Sequence, residues 1–497
     1  MDGTREFLLK QVIGWATQGQ GKEEKNTFWI YGLPGIGKTS LAHSICAILH
    51  EGNHLAGAFF CRRDDRSLSE PRNILPTLIH KLAITFPPFR RLVAGRLRND
   101  ANLMPGSMKH SLLLELIRKL PRPPKRTLVF VIDAFDECGD TESRPDILRA
   151  LTDAAVHAPW LKIIITSRPE VDIHRSFDAL QSLHTRYDLA TDAQAPSDLR
   201  IFAKDRFKKV ASKRFLASPW PEQSLFDGVI SRAAGLFIFV KTIALVLEQC
   251  EDPTGLLKAT LQDSEGTGST SLYGLYSSIL KGRIAHSTAD FRRMIGTLLA
   301  AAPHRPLCEE TIAELASVRL DLVKTWVANL GSLLYRDEGA DGGIRVRHLS
   351  ISDFFLSDDA HGDYRVDLRD ANVRLGAACL KTMLEQLRFN ICGLEDSRLT
   401  NAAIGDLQLR IKENISDALQ YGCVYWSDHL CFDPEKRDWE GLRRFFEGPY
   451  ALFWIEILSI MGMVSIGVPS LRRVRLKVVK VSKAPASICL HLKMNLI

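Results

Sequence analysis

The chain has 497 residues, too many for one ordinary core, so two to four domains are predicted. A hydrophobic content of 45% with 25% charged residues excludes a disordered chain and is typical of a soluble globular protein. The net charge of +7 comes from residues 469–497, which hold seven basic residues and no acid. The body is therefore neutral, which argues against a dedicated nucleic-acid-binding surface. The tail could touch anionic lipid or RNA, but is predicted to be a poorly ordered, solvated end.

The N-terminal residues 1–16 show an amphipathic helix pattern with acidic residues, which is not the pattern of a signal peptide. Ten scattered cysteines form neither a C-x-x-C pair nor a zinc pattern with histidine. They indicate reduced thiols in an intracellular, cytoplasmic protein. The apolar run Ala451–Val468 is close to the shortest length that spans a membrane, yet it contains Glu456. It is predicted to be a buried or partner-facing helix, and no membrane span is expected.

From Asn26 to about Leu189, short apolar runs alternate with helical patterns. Nearly all-apolar runs are typical of strands that are covered on both faces. Their alternation with helices predicts an α/β fold with a mostly parallel, doubly wound sheet. The segment 64–124 is predicted to be a helical insertion between two strands. The five predicted strands lie within residues 27–33, 56–62, 127–135, 161–169 and 184–190.

After Leu189, apolar residues recur at three- and four-residue spacing, which predicts helices. Short helices are expected over residues 272–330. The following stretch, SLLYRDEGADGGIRVRHLS, has two short apolar runs around a glycine-rich turn and predicts a β-hairpin. Helices followed by such a hairpin suggest a winged-helix unit.

The first predicted strand runs into GLPGIGKTS, which matches G-x-x-x-x-G-K-[ST] with a strand before it and a helix after it. Glycines let backbone N–H groups turn inward around phosphate oxygens, and the helix adds its positive N-terminal end. Lys38 is expected to bind the outer phosphates, and the Thr39 hydroxyl a Mg²⁺ ion. The predicted nucleotide-binding residues are Gly32, Leu33, Pro34, Gly35, Ile36, Gly37, Lys38, Thr39 and Ser40.

In the stretch LVFVIDAFDE, an apolar run that predicts a buried strand is followed by three acids, Asp133, Asp136 and Glu137. A buried carboxylate is costly without a cation, and Asp133 is predicted to join Thr39 as a Mg²⁺ ligand. Asp136 and Glu137 are the candidates for the catalytic base that orients and deprotonates water. The sequence does not decide between them. The alternative for either acid is a surface carboxylate paired with a nearby arginine.

The next strand ends in IIITSRPE, which places Thr166, Ser167 and Arg168 at the carboxyl edge of the sheet. Ligands bind at this edge in open α/β folds. Arg168 is therefore predicted to be a catalytic residue that senses the γ-phosphate. Its alternative is an ion pair with one of the acids that follow the preceding strand.

The order Gly-x-Pro-Gly-x-Gly-Lys-Thr, then Asp133-Ala134-Phe135-Asp136-Glu137, then Thr166-Ser167-Arg168-Pro169 resembles the NACHT NTPases. Within them it is most similar to the fungal, nephrocystin-like group of STAND proteins, related to NOD-like receptors. The small Ala134 and the acid Asp136 are typical of that family. Further along, VRHLSISDFF resembles its winged-helix pattern His-x-Ser-Phe-x-Asp-Phe, with Ile351 where Phe is usual. This resemblance implies that His348 contacts the diphosphate of bound ADP.

The resemblance implies a P-loop NTPase fold followed by all-helical and winged-helix domains. Some relatives have a proline where this chain has Phe237, after Gly235 and Leu236. The expected organisation is an N-terminal helix over 1–25, a NACHT P-loop NTPase domain over 26–190, a helical domain over 191–265, a winged-helix-like domain over 266–362, a C-terminal helical domain over 363–468 and the basic tail over 469–497.

The activity that the resemblance implies is that of a signal-transduction switch in fungal innate immunity or non-self recognition, which binds and slowly hydrolyses ATP with Mg²⁺. ADP would hold the closed state, while ATP would permit assembly into a homo-oligomer that engages a downstream signalling protein. GTP is not excluded. Two other functions stay open: a metabolic P-loop kinase, and a scaffold that binds nucleotide without hydrolysing it. An N-terminal effector domain and a C-terminal repeat array, usual in such proteins, are not recognisable in the sequence.

Overall fold

The computed structural model describes residues 3–18, 25–99, 112–180, 184–263, 269–281, 283–284, 288–337, 342–358, 360, 363–396, 398–430 and 439–479. The chain divides into two compact units. The first contains the described residues up to Ser278 together with His348–Ser350. The second contains those of 279–347 and those from Ile351 onward.

A five-stranded parallel sheet forms the centre of the first unit. Its order is β2-β3-β4-β1-β5, so that β4 lies between β1 and β3. All residues of β3 and β4 are buried, as the nearly all-apolar runs predicted. The doubly wound α/β fold is therefore confirmed. The strands are β1 Thr27–Tyr31, β2 Leu55–Phe60, β3 Leu128–Asp133, β4 Leu161–Ser167 and β5 His184–Asp188.

Helices cover both faces of this sheet and bury two separate apolar cores. Helices α1 and α2 pack on one face, where Leu8 and Val12 meet Leu41 and Ile45. The predicted helical insertion between β2 and β3 is confirmed for its described residues. The helices are α1 Glu6–Thr17, α2 Lys38–Glu51, α3 Arg66–Ser69, α4 Ile74–Thr85, α5 Pro87–Asn99, α6 Leu112–Arg118, α7 Ser143–His157, α8 Val171–Ala179, α9 Ala195–Lys213, α10 Gln223–Ala233, α11 Phe237–Leu247, α12 Pro253–Asp263 and α13 Ser269–Lys281.

The second unit is mostly helical and contains the predicted β-hairpin. Strands β6 Leu334–Arg336 and β7 Ile344–Val346 pair antiparallel after three helices, the arrangement on which the winged-helix prediction rests. The domain boundaries themselves stay predictions. The helices are α14 Thr288–Ala301, α15 Glu309–Ala316, α16 Leu320–Asn329, α17 Leu349–Leu356 (whose first two residues belong to the first unit), α18 Leu368–Gln386, α19 Leu407–Asn414, α20 Asp417–His429, α21 Trp439–Glu447, α22 Tyr450–Ile460 and α23 Gly467–Val479.

The basic tail differs from its prediction. Residues 469–479 belong to α23, so the expectation of a poorly ordered tail was wrong for this part. Val474 and Val478, four residues apart, are fully buried, and Arg473 forms an ion pair with Asp428 at 3.1 Å. The count of basic charges missed this apolar spacing, which gives the helix a buried face. Residues 480–497 lie outside the described part of the chain.

The apolar run Ala451–Val468 is divided between three elements. Helix α22 ends at Ile460, a short 3₁₀ turn covers Val464–Ile466, and α23 begins at Gly467. Trp454 and Ile457 are buried, so α22 packs as a core helix. Glu456 lies on this helix, and its Oε2 accepts the Asn390 backbone N–H at 3.3 Å. Across the described ranges, no helix is both long and apolar enough to cross a membrane.

Candidate functional site

The loop between β1 and α2 has the shape that a phosphate cradle requires. Gly35 and Gly37 have φ values of +80° and +101°, in the left-handed region that favours glycine. The Gly32 N–H donates to the Ser167 carbonyl at 3.3 Å, which ties the start of the loop to β4. Helix α2 begins at Lys38, so its N-terminal N–H groups open toward the loop. All the residues from Gly32 to Ser40 that the motif predicted thus lie in one strand–loop–helix turn.

The amino group of Lys38 lies over this loop. Its Nζ donates to the carbonyls of Gly32 at 2.7 Å and Leu33 at 2.9 Å. Burial lowers the Lys38 pKa to about 8, while the negative charge of Asp136 opposes this shift. The amine therefore stays mostly protonated at neutral pH, and its charge is held at the mouth of the loop.

The two residues predicted as Mg²⁺ ligands come together at the end of β3. Asp133 is buried at 2% exposure, and burial raises its pKa. Hydrogen bonds from the hydroxyls of Thr166 and Thr39, and the charge of Lys38, oppose that shift. A carboxylate and a hydroxyl side by side are oxygen donors, which suit a hard divalent cation. The residues present therefore fit Mg²⁺, and their assignment as its ligands stays a prediction.

Thr166 connects the ends of two strands, which its sequence position alone did not indicate. Its hydroxyl donates to Asp133 Oδ1 at 2.5 Å and accepts the Ala134 backbone N–H at 3.0 Å. Ala134 has a φ of +52°, where the chain leaves β3 in a left-handed turn. Thr166 thus joins the ends of β3 and β4. The Thr-Ser-Arg run at the end of a buried strand was the signal available for it.

The buried Asp136 and the partly buried Arg168 form an ion pair. Asp136 Oδ1 accepts the Arg168 backbone N–H at 2.8 Å, and Oδ2 lies 3.2 Å from Arg168 Nε. The sequence left open that Asp136 pairs with an arginine at the surface. The ion pair with an arginine is present, but Asp136 is only 2% exposed and therefore lies inside the protein. Arg144 Nη2 also donates to the Asp136 backbone carbonyl at 2.7 Å. Nothing in the sequence indicated a part for Arg144.

Glu137 is placed differently. Its side chain is half-buried, and Oε2 accepts the Arg63 backbone N–H at 3.3 Å. Burial, followed by the neighbouring charge of Asp136, raises the Glu137 pKa to about 7. A carboxylate with a pKa near neutrality is suited to accept a proton from water. The two acids that the sequence left equivalent are therefore distinct in the structure.

His348, far away in sequence, lies beside the phosphate loop. Its Cε1 is 3.9 Å from the position that a Cβ on Gly35 would occupy. Burial lowers the His348 pKa to about 3, and the charges of Lys241, Arg168 and Lys38 act in the same direction. The imidazole is consequently neutral at physiological pH. The proximity that the family resemblance implied is present, and the contact with a diphosphate stays a prediction.

Helix α11 also reaches the loop, and the motifs had not indicated this. The Ile238 N–H donates to the Gly35 carbonyl at 3.2 Å, and a Cβ on Gly35 would lie 2.1 Å from Ile238 Cγ2. Arg5 is a second such residue. It forms an ion pair with Asp192, donates to the Ile36 carbonyl at 3.4 Å and lies over the Phe237 ring. No local pattern marked Ile238 or Arg5, because both act through the loop backbone.

Residues 3–168 match the family described as Nephrocystin 3, N-terminal. The matched segment ends at Arg168 and thus includes the phosphate loop and the acids after β3. The similarity covers about a third of the chain and leaves the region after β4 outside it. A comparison with curated proteins gave no match.

Among solved structures, the chain is similar to a Walker-type ATPase of Pyrococcus abyssi, at 13% identity and a TM-score of 0.34, over 70% of this chain and 95% of that one. It is also similar to a STAND protein with a tetratricopeptide repeat sensor from Pyrococcus horikoshii, at 16% identity and a TM-score of 0.39, over 95% of this chain and 58% of that one. A third similar structure is the ORC1 protein of Aeropyrum pernix in complex with DNA, at 12% identity and a TM-score of 0.30, over 71% of this chain and 91% of that one. These likenesses are too distant to indicate a ligand or a partner.

Proposed function

We propose that this chain is a nucleotide-binding switch of the NACHT/STAND class that binds ATP and hydrolyses it slowly. One observation carries the proposal. The phosphate loop, the acid Asp133, the Asp136–Arg168 pair and His348 converge at the carboxyl edge of one parallel sheet. Ligands of open α/β sheets bind at this edge. A histidine from a distant part of the chain at the phosphate loop supports a switch rather than a simple binding domain.

The chain's own residues supply most of what phosphate binding needs. Backbone N–H groups of the loop and the start of α2 would hold the phosphate oxygens, and Lys38 would add a cation. Asp133 and Thr39 would hold Mg²⁺, which supplies positive charge to the β- and γ-phosphates when it is bound. Arg168, oriented by Asp136, would extend a cation toward the γ-phosphate. The sequence favours neither purine clearly, and ATP is proposed over GTP from the family resemblance.

Hydrolysis is proposed to use Glu137 as the base. Its raised pKa and half-buried carboxylate support proton abstraction from water, whereas Asp136 is engaged with Arg168. Turnover is expected to be slow, so that hydrolysis resets the switch. The rival kinase function would need fast transfer to a small acceptor, and the rival scaffold would keep its nucleotide unhydrolysed.

The regulatory part of the proposal rests on His348. A ligand shifts a conformational equilibrium only through different contacts with the two states. His348 would contact the diphosphate in the closed state alone, whereas Lys38 and Asp133 would act in both. Release by ATP would then permit self-assembly and engagement of a downstream protein. A role in fungal non-self recognition is proposed from the family resemblance alone.

Calorimetry with ADP and with ATP tests the proposal. Lys38→Ala is expected to abolish binding of both nucleotides, and retained affinity would overturn the site assignment. His348→Ala is expected to weaken ADP more than ATP, because only the closed state uses the imidazole. Equal losses for the two nucleotides would contradict the switch while leaving the binding site in place.

A further inference from the structure

His348, which is half-buried, lies at the end of a series of hydrogen-bonded side chains that begins at the buried Tyr276 on α13. The Tyr276 hydroxyl lies 2.8 Å from Ser350 Oγ, and Ser350 Oγ lies 2.7 Å from His348 Nδ1. We infer that Ser350 and Tyr276 are positioning residues that keep the His348 proton on Nε2, so that this nitrogen can donate to the phosphates of a nucleoside diphosphate. The inference deepens the proposed function and rests on it for the identity of the ligand.

The tautomer follows from one backbone hydrogen bond. The Ser350 N–H donates to His348 Nδ1 at 3.1 Å. A backbone N–H cannot accept, so Nδ1 must offer its lone pair and cannot carry a proton. His348 thereby acts as an N-terminal cap for α17, with its ring nitrogen in place of the usual side-chain oxygen. In a neutral imidazole the remaining proton is then on Nε2.

The same bond sets the direction of the whole chain. Because Nδ1 is an acceptor, the Ser350 hydroxyl donates its hydrogen to it. The Ser350 oxygen is then free to accept from Tyr276, whose hydroxyl is the donor. Hydrogen bonds are thus donated from Tyr276 to Ser350 and from Ser350 to His348. The remaining donor, Nε2–H, lies on the side of the imidazole ring opposite to these bonds. Hydrogen bonds linked in one direction strengthen one another.

Burial makes the arrangement strict. Tyr276 is 0% exposed and Ser350 is 2% exposed, so neither hydroxyl can exchange its partner for bulk water. The other tautomer would set an Nδ1–H against the Ser350 backbone N–H, and a flipped ring would place a carbon where Nδ1 now accepts. Burial of the ring, followed by the neighbouring charges of Lys241, Arg168 and Lys38, lowers the His348 pKa and so disfavours a second proton on the imidazole. The side chain is therefore oriented before any ligand arrives.

The test combines nitrogen-15 NMR of the His348 ring with ADP and ATP calorimetry on the full chain. In the wild type, Nε2 is expected to show the shift of a protonated nitrogen and Nδ1 that of an unprotonated acceptor. Ser350→Ala is expected to weaken ADP binding roughly threefold to tenfold, as for one lost hydrogen bond. It should also broaden the signals of the His348 ring, because the backbone N–H of residue 350 then holds Nδ1 without the hydroxyl. Tyr276→Phe should give a smaller loss in the same direction, with ATP affinity nearly unchanged in both variants.

Ser350→Thr keeps the hydroxyl and should retain the wild-type ring signals and ADP affinity. Ser277→Ala is the matched control, since Ser277 is also buried on α13 but lies outside this chain of bonds. A wild-type ring with its proton on Nδ1 would overturn the inference, as would equal ADP losses in Ser350→Ala and Ser277→Ala. If the wild type bound neither nucleotide, the proposed function would fail, and the NMR of the free chain would still decide how the tautomer is held.

Discussion

The Asp136 carboxylate contacts both the backbone and the side chain of Arg168. Its Oδ1 lies 2.8 Å from the Arg168 backbone nitrogen and its Oδ2 lies 3.2 Å from Arg168 Nε. Asp136 is 2% exposed and the Arg168 side chain 16%, so breaking the pair would leave the buried Asp136 carboxylate uncompensated, which is costly inside a protein. Asp136 therefore serves to orient an arginine at the carboxyl edge of the sheet. This leaves Glu137, whose pKa is raised to about 7, as the acid that can take a proton.

The first prediction separates the two acids. Glu137→Gln is expected to lower single-turnover ATP hydrolysis by about 10² or more, the usual contribution of a general base, with ATP affinity almost unchanged. Asp136→Asn is expected to weaken ATP binding more than ADP binding, because it releases Arg168. Glu142→Gln, an exposed acid nearby, serves as the control. The assignment would be reversed if Asp136→Asn abolished hydrolysis without affecting ATP affinity and Glu137→Gln left it intact.

The second prediction concerns the pH dependence of hydrolysis. Below its raised pKa, Glu137 keeps its proton and cannot act as a base, so the rate should rise as the pH passes through about 7. Asp136 is one of the groups that raise this pKa, and Asp136→Asn should therefore move the midpoint to lower pH. The measurement is the single-turnover rate at saturating ATP across this range. A midpoint that stays in place in Asp136→Asn would contradict the coupling between the two acids.

The third prediction tests the contact between the phosphate loop and α11. Gly35→Ala would place a Cβ 2.1 Å from Ile238 Cγ2 at a φ of +80°, so both strain and overpacking are expected. A stability loss of about 2–4 kcal/mol and loss of nucleotide binding should follow. Gly235→Ala is the matched control: its φ is +87°, but a Cβ there meets nothing within 4 Å. Denaturant unfolding compares the two.

The clash itself can be isolated by a second substitution. Ile238→Ala removes the Cγ2 atom that a Cβ on Gly35 would meet at 2.1 Å and leaves the Ile238 Cβ, at 2.9 Å, as the remaining close contact. The double variant Gly35→Ala with Ile238→Ala should therefore recover part of the stability lost in Gly35→Ala. If Gly35→Ala were no more destabilising than Gly235→Ala, the contact with α11 would not constrain the loop.

The fourth prediction addresses Thr166, which bridges the ends of β3 and β4. Thr166→Val keeps the shape but removes the donor to Asp133 and the acceptor for the Ala134 N–H. A loss of about 1–3 kcal/mol is expected, because two buried polar groups lose a partner. Mg²⁺-dependent ATP binding should weaken as well, since Asp133 loses its orientation. Thr166→Ser retains the hydroxyl and should stay near the wild type, and similar losses in both variants would exclude the bridge.

Much of the first unit could be predicted from local patterns. Apolar runs identified all five strands, and the alternation with helices identified the parallel sheet. The phosphate loop was recognisable because its chemistry lies in nine contiguous residues, Gly32–Ser40, between a strand and a helix. The tail from 469 shows the opposite case. Its charge count concealed the spacing of Val474 and Val478, which makes α23 a packed helix.

The residue types at the ends of β1, β3 and β4 can be read from local sequence, since each motif is continuous and each strand is recognisable from its apolar run. The contacts among those residues depend on the tertiary fold, which brings separate segments together. Asp136 and Glu137 are adjacent in sequence, yet one meets Arg168 and the other Arg63, because different elements approach their two sides. The partners of His348, Gly35 and Asp133 come likewise from distant segments, and burial and charge at such contacts raise the pKa of Glu137 and lower that of His348.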